Sequence, residues 1–261
     1  MNSEQKPLAD QHRSVAAIYE RGDIAGAYLD KRMQFSWQRM LHKQQIAILN
    51  RAVAKYAPAS LLEVAPGPAR LAVEMTHDVK GTMVENSEEM IAIARQRLAG
   101  AGLADQWKVL QGDAFNLPAY VTPESFDFAY TFRFLRHFRN PEREQLYANL
   151  RQTLKTGGLL VFDVVGEVVY NQVEARNPQR AAGEIPIYDV TYTSQSFVEE
   201  MKRNGFDVVE LRPILKHFTI QSLLSYKLDD VIGPAIPPLL SLLELVPSGA
   251  PLEWVAVCRK R

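Results

Sequence analysis

Three short stretches carry residues that could do chemistry together. The first is Glu63-Val64-Ala65-Pro66-Gly67-Pro68-Ala69. Small residues at alternate positions there let a ligand lie against the backbone, and a following helix would offer free N–H groups. The second is Glu85, followed by Asn86 and Met90. It stands about twenty residues beyond the first stretch, where an acidic side chain can accept both hydroxyls of a ribose. The third is Gln111-Gly112-Asp113-Ala114-Phe115, in which Asp113 can take the exocyclic amine of an adenine while Ala114 and Phe115 line the ring. Each carboxylate alone is more often a surface cap than a ligand. Three in register at one sheet edge point to a nucleoside-bearing ligand.

A fourth stretch, Thr131-Phe132-Arg133-Phe134-Leu135-Arg136-His137-Phe138-Arg139, is the place for catalytic groups. His137 is the best candidate for a general base, because an unperturbed imidazole titrates near neutrality. A structural or cofactor-side role competes with that assignment. Arg133 and Arg136 could hold a substrate carboxylate or cover the adenine; equally, they could be solvated residues of a short helix. His12, His42, His77 and His217 have no ligand-like spacing and are expected on the surface or in the core. No metal site is expected.

These stretches need a scaffold, and the pattern of the chain supplies one. Apolar residues at helical spacing predict a helix over 14–56, ended by Pro58. Short apolar strands are expected at 61–64, 82–84, 107–111, 126–131, 159–165, 206–211 and 252–258. Helices are expected at 70–76, 88–98 and 196–203. A further helix starts at Asn140-Pro141-Glu142 and stops at Thr156-Gly157-Gly158. Strands separated by helices imply an α/β fold with a mostly parallel seven-stranded sheet covered on both faces. In such sheets ligands bind beyond the carboxyl ends of the strands.

Composition narrows the class of partner. Thirty Lys and Arg balance thirty Asp and Glu, so no net field recruits nucleic acid or an anionic membrane. The single cysteine, Cys258, can form no internal disulfide, and a reducing cytoplasm is the expected setting. The polar N-terminal stretch has no apolar core and is not expected to be a secretory signal. The most hydrophobic segment, 231–252, is interrupted by five prolines and is not expected to span a membrane.

The pattern resembles the class I S-adenosylmethionine-dependent methyltransferases, especially the small-molecule branch that includes ubiquinone/menaquinone-biosynthesis methyltransferases. Glu63–Ala69 matches that family's glycine-rich first motif, with Ala65 and Ala69 where glycine is usual. Glu85 matches its ribose carboxylate, Gly112-Asp113-Ala114 its adenine-side motif, Phe126–Tyr130 its strand-four motif, and Leu154–Leu160 the turn before strand five. The resemblance implies a Rossmann-like sheet of order 3-2-1-4-5-7-6 with an antiparallel last strand. It also implies an N-terminal helical lid (1–57) ahead of a methyltransferase domain (58–261). It implies S-adenosylmethionine as cofactor, S-adenosylhomocysteine as product, and Tyr28, Arg32, Glu63, Ala65, Gly67, Ala69, Glu85, Asn86, Met90, Asp113, Ala114, Phe115 and Thr131 at the cofactor. Arg32 could pair with the donor's carboxylate or equally be an exposed helical arginine.

The acceptor implied is a small hydrophobic or aromatic molecule, methylated on oxygen, nitrogen or carbon. Its selection is expected in two apolar insertions, near 167–190 and 217–250. The leucines of the second are best read as helices packed on their own core. A pocket roof, a homodimer face or a membrane-surface contact through 231–252 are the alternatives. A nicotinamide dehydrogenase fits worse, because Arg70 stands where its third glycine belongs. The other alternative is a catalytically silent S-adenosylmethionine-binding partner or regulatory subunit.

Overall fold

The computed structural model describes residues 29–176, 189–247 and 249–261. Its centre is strand β1 (Leu61–Val64), every residue of which is buried, as a parallel strand covered on both faces must be. β2 (Gly81–Glu85), β3 (Trp107–Gln111), β4 (Phe126–Thr131) and β5 (Leu154–Gly166) are parallel to it. β8 (Glu253–Lys260) runs antiparallel between β5 and β7 (Phe206–Ile214), giving the order β3-β2-β1-β4-β5-β8-β7. This is the expected order, with one addition. A two-residue strand, β6 (Thr191–Tyr192), pairs with the end of β5, and two residues are too few to show a periodicity.

The strands alternate between two cores. Leu61, Met83, Phe128, Tyr130 and Val161 join α1 (Ser36–Tyr56) and α2 (Glu88–Gly100) on one face. Leu62, Val64, Val84, Ala129, Leu160 and Phe162 join α3 (Glu142–Thr153) and α5 (Ser194–Arg203) on the other. That period of two hides inside strands that read as almost continuously apolar.

Several expected boundaries move. The helix expected over 14–56 is, in its described part, broken at Gln34-Phe35, and α1 begins only at Ser36; residues 14–28 and Tyr28 lie outside the described residues. Gln38 Oε1 accepts the Phe35 N–H at 2.9 Å and fixes that start. The helix expected at 70–76 is a single 3-10 turn, Ala72–Glu74, because Met75 is already extended (φ −67°, ψ 130°) and one turn cannot propagate. α3 ends at Thr153 rather than at the glycine pair, since Leu154 already pairs with Phe126 of β4.

Of the insertion near 167–190, α4 (Glu167–Arg176) is described, whereas 177–188 lies outside the described residues. The second insertion forms α6 (Phe218–Ile232) and α7 (Ile236–Leu243), which pack on α1. Phe218, Ile236 and Leu240 enter the core, whereas Val231 (72%), Leu242 (60%) and Leu245 (77%) stay exposed. Among the described residues no helix is long and apolar enough to cross a membrane.

Candidate functional site

Two clefts, of about 1010 and 1640 Å³ counted to their open mouths, lie beyond the carboxyl ends of β1–β5. The first is built on the turn after β1. Ala65, Gly67 and Ala69 all have left-handed backbone, with φ of 52°, 55° and 53°. Two L-residues thus occupy left-handed positions that favour glycine, which strains the turn. Glu85 holds it in place. One carboxylate oxygen accepts the Gly67 N–H at 2.9 Å, and the other accepts those of Asn86 (2.9 Å) and Ser87 (3.1 Å). Burial pushes the Glu85 carboxyl above its ordinary pKa against those three donors. One side chain thus ties the loops after β1 and β2 together.

Ser87 caps α2, accepting the Met90 N–H at 3.2 Å, and Asp113 accepts the Phe115 N–H at 2.8 Å. Phe115 and Phe134 each pack edge-on against Phe138, at 5.2 and 5.0 Å. Glu63 is buried in the floor, where Tyr130 donates to it at 2.9 Å. Burial lifts its carboxyl to about 8, against the Tyr130 hydrogen bond and the Arg70 charge.

Glu63, Ala65, Gly67, Glu85, Asn86, Met90, Asp113, Ala114, Phe115, Arg133 and His137 all line this first cleft. Three expected residues do not. Ala69 is packed into the core. Thr131 is still inside β4, opposite Phe162 of β5, and its buried hydroxyl has no hydrogen-bond partner among the described residues. Arg32 lines the second cleft instead.

Arg70 and Arg133 line both clefts and form the wall between them. Beneath that wall runs a chain of buried polar groups. Arg70 Nη2 donates to Gln45 Oε1 at 3.0 Å, and Arg70 Nη1 meets His42 Nδ1. A guanidinium only donates, so His42 Nδ1 accepts and its Nε2–H donates to Glu74 at 2.6 Å. Burial, then the Arg70 charge, lowers the His42 pKa, which keeps the ring neutral.

Gln45 Nε2 donates to Glu253 at 3.0 Å, and Glu253 also takes Arg136 Nη1 at 2.5 Å. Arg136 reaches Asp163 at 3.0 Å and grips both oxygens of Asp189 at 2.7 and 3.0 Å. Burial works to raise the Asp189 carboxyl, but the Arg136 charge and the His137 and Arg136 hydrogen bonds hold it well below the usual carboxylate range. Asp189 lies 3.2 Å from His137 Nδ1. Arg136 is therefore buried and ion-paired, not a solvated helix residue.

Sequence reasoning missed His42, Gln45, Asp163, Asp189 and Glu253 and used Arg70 only as an obstacle. Two left a signal. Strand 159–165 reads as apolar except for Asp163, and Glu253 opens the last strand; a carboxylate in a doubly covered strand must find a buried partner.

Residues 61–158 match the family model described as a methyltransferase domain. Over 149 residues the chain is 33% identical to a demethylmenaquinone methyltransferase of Porphyromonas gingivalis, a match covering 54% of this chain and 58% of that protein. It thus spans under three fifths of that relative's length. Solved structures share the fold at low identity. One is a SAM-dependent methyltransferase from Thermotoga maritima, described as a possible histamine N-methyltransferase (20% identity, TM-score 0.58, covering 94% of this chain and 99% of that one). Another is an O-methyltransferase family protein from Burkholderia thailandensis (11%, TM-score 0.64, 98% and 64%). A third is the [4+2]-cyclase SpnF (18%, TM-score 0.56, 86% and 83%). The strand order β3-β2-β1-β4 and the Glu63–Ala69, Glu85 and Asp113 loops thus fall in a stretch, residues 61–158, that is similar to a methyltransferase domain.

Proposed function

We propose that this chain moves a methyl group from S-adenosylmethionine in the first cleft to a small aromatic acceptor in the second. The observation that carries this is the shared wall. Two clefts meet at Arg70 and Arg133, so a donor in one and an acceptor in the other would touch only there.

The first cleft's groups fit the cofactor. A carboxylate fixed by three backbone donors (Glu85) suits a ribose diol, Asp113 suits an adenine amine, and Met90, Ala114 and Phe115 give the apolar faces a purine needs. When bound, the cofactor supplies a methyl group on a positively charged sulfur, an activated leaving group. The chain's own residues then have to align the acceptor and keep water out. Phe132, Phe134 and Phe138 wall the first cleft; Trp37, Phe218 and Tyr226 line the second.

Arg70 and Arg133 at the shared wall would hold the acceptor's lone pair in line with the methyl group that a bound cofactor would supply. His137, which lines the first cleft next to Arg133, would take the displaced proton only from an acceptor atom that reaches across the shared wall. Ionised Asp189 accepts from Nδ1–H at 3.2 Å, which leaves Nε2 as the ring's acceptor and orients it, the arrangement a general base needs.

Calorimetric titration of wild type and Glu85→Ala with S-adenosylmethionine and S-adenosylhomocysteine tests the reading. Loss of a charged acceptor costs about 1.5–3 kcal/mol, at least tenfold in affinity. Wild-type protein that binds neither compound would sink the proposal. A second reading is binding without transfer, and the strained alanines at 65 and 69 favour it. It predicts tight cofactor binding with no S-adenosylhomocysteine released alongside any acceptor.

A further inference from the structure

Exposed apolar side chains gather on one part of the molecule. Of the thirteen large ones among the described residues, nine lie between Ile220 and Val246, in α6, α7 and the turn after them, so they are not scattered. Helical phase places them. α6 turns Phe218, Gln221, Ser222 and Ser225 inward, at the i, i+3, i+4, i+7 spacing of a single face. Its opposite face carries Ile220, Leu223 and Val231. α7 buries Ile236 and Leu240 and leaves Leu239 and Leu242 outside.

Both helices pack on α1 and on each other, so the side chains directed away from α1 form one outer layer. At exposures of 38% to 77% the nine offer on the order of 800 Å², about what each partner contributes to a standard interface. The largest apolar patch of a typical monomer is smaller, about 300–600 Å².

Charge decides what fits this layer. Between 218 and 246 the exposed charges are Lys227 and Asp230 alone. Asp229 is committed to the start of α1, where it accepts the Ser36 N–H at 2.6 Å, and Glu244 accepts from the Lys216 N–H and Gln221 Nε2. Lys227 and Asp230 have no ion pair among the described residues. They stand three residues apart, on the same side of α6 as Leu223. One lysine beside one aspartate gives no net attraction to anionic lipid, which recruits faces rich in Lys and Arg. In a twofold contact the patch meets itself, residue i facing j and j facing i. Two copies of α6 laid antiparallel then close two Lys227–Asp230 pairs at once.

We propose that this layer joins two copies of the chain as a twofold dimer, α6 lying antiparallel to its counterpart, with the leucines of α7 packed on either side. The inner side of α6, through Phe218, Thr219 and Ser222, walls the second cleft. The contact braces that wall from outside, and it stands whether or not the cleft takes a methyl acceptor.

Sedimentation velocity of the full chain from about 1 to 100 μM reads the assembly. A species of twice the 29.5 kDa of one chain is expected in the upper part of that range. Leu223→Glu and Leu242→Glu alter side chains 51% and 60% exposed, so circular dichroism should not change. Each should weaken the dimer at least about tenfold, because a carboxylate would be buried against apolar surface. Lys227→Asp sets like charges together twice across the axis and should weaken it several-fold; adding Asp230→Lys should restore it.

A chain that stays monomeric at the highest concentration, or a dimer indifferent to both leucine variants, would overturn the inference. Flotation with phosphatidylglycerol–phosphatidylcholine vesicles runs alongside. Monomeric protein that floats, and ceases to float as Leu242→Glu, would give the layer to lipid and refute the dimer. A dimer broken by the leucine variants but not restored by the double exchange would overturn the antiparallel pairing of α6.

Discussion

Arg136→Met puts the buried polar chain to its hardest test. Arg136 is 7% exposed and bonds to three carboxylates drawn from β5, β8 and the segment before β6. Two of these, Asp163 and Glu253, have side chains only 2% exposed. Methionine fills much of the same volume without the charge, so the loss reports electrostatics more than packing. Removing one partner of a buried ion pair typically costs about 3–5 kcal/mol, because the remaining charge is stranded. Against a total stability of about 5–15 kcal/mol that is a large share, and for a chain of this size it lowers Tm by roughly 10 °C.

The pH dependence separates this cause from a packing defect. In wild type the Asp189 carboxyl is held below its ordinary pKa. Its contribution is present above the unfolded value of about 3.8 and is lost as pH falls through the folded value. Without Arg136, burial acts on Asp189 opposed by His137 alone, and its carboxyl rises. The variant's folded state then takes up a proton on acidification, so the gap between variant and wild type narrows from pH 7.5 to 4.5. Urea unfolding at four pH values measures it, and adding Glu253→Gln to the variant should recover part of the loss. A penalty below about 1 kcal/mol, or one constant across that pH range, would refute the reasoning.

Two other outcomes follow from the turn and the floor of the first cleft. Ala65→Gly relieves a left-handed alanine worth roughly 1–2 kcal/mol of strain and adds about 0.4–1 kcal/mol of unfolded-chain entropy. Its urea midpoint should rise, and a fall would show that the alanine methyl packs usefully there. Glu63, lifted to about 8, binds its proton more tightly folded than unfolded. Its stabilising contribution is therefore complete below about 4.5 and is lost as pH climbs to 8, at up to about 1.4 kcal/mol per pH unit. Glu63→Gln is neutral throughout and should gain on wild type over that range; parallel curves would mean Glu63 is ionised in the fold.

The first cleft was largely legible in the sequence. Glu63, Gly67, Glu85 and Asp113 sit in short strand-to-loop segments whose order along the chain fixes their order along the sheet edge. Side-chain alternation and turn residues are local properties, so they show in a linear string. The failures are equally physical. Thr131 ends the expected strand 126–131, and its pairing with Phe162 of β5 keeps its side chain from the cofactor cleft that the resemblance implies for it. Ala65 and Ala69 show in the sequence as departures from glycine, but the sequence does not show that the turn, which returns the Ala65 N–H to Val84 at 2.9 Å, holds both left-handed. The second insertion shows its leucines but not which of them turn inward onto α1.

By itself, then, the sequence determined the parallel α/β scaffold, the strand order through family resemblance, and the acidic loops at one edge. Tertiary structure alone decided the second cleft and the wall between the two. His42 and Gln45 come from α1, Arg70 from the turn after β1, Arg133 and Arg136 from beyond β4, and Asp163 and Glu253 from β5 and β8. No local rule links residues so far apart in the chain. They meet because the antiparallel pairing of β8 on β5 sets Glu253 opposite Val165, close to Asp163. In a space closed to water, each charge there is held by its neighbours.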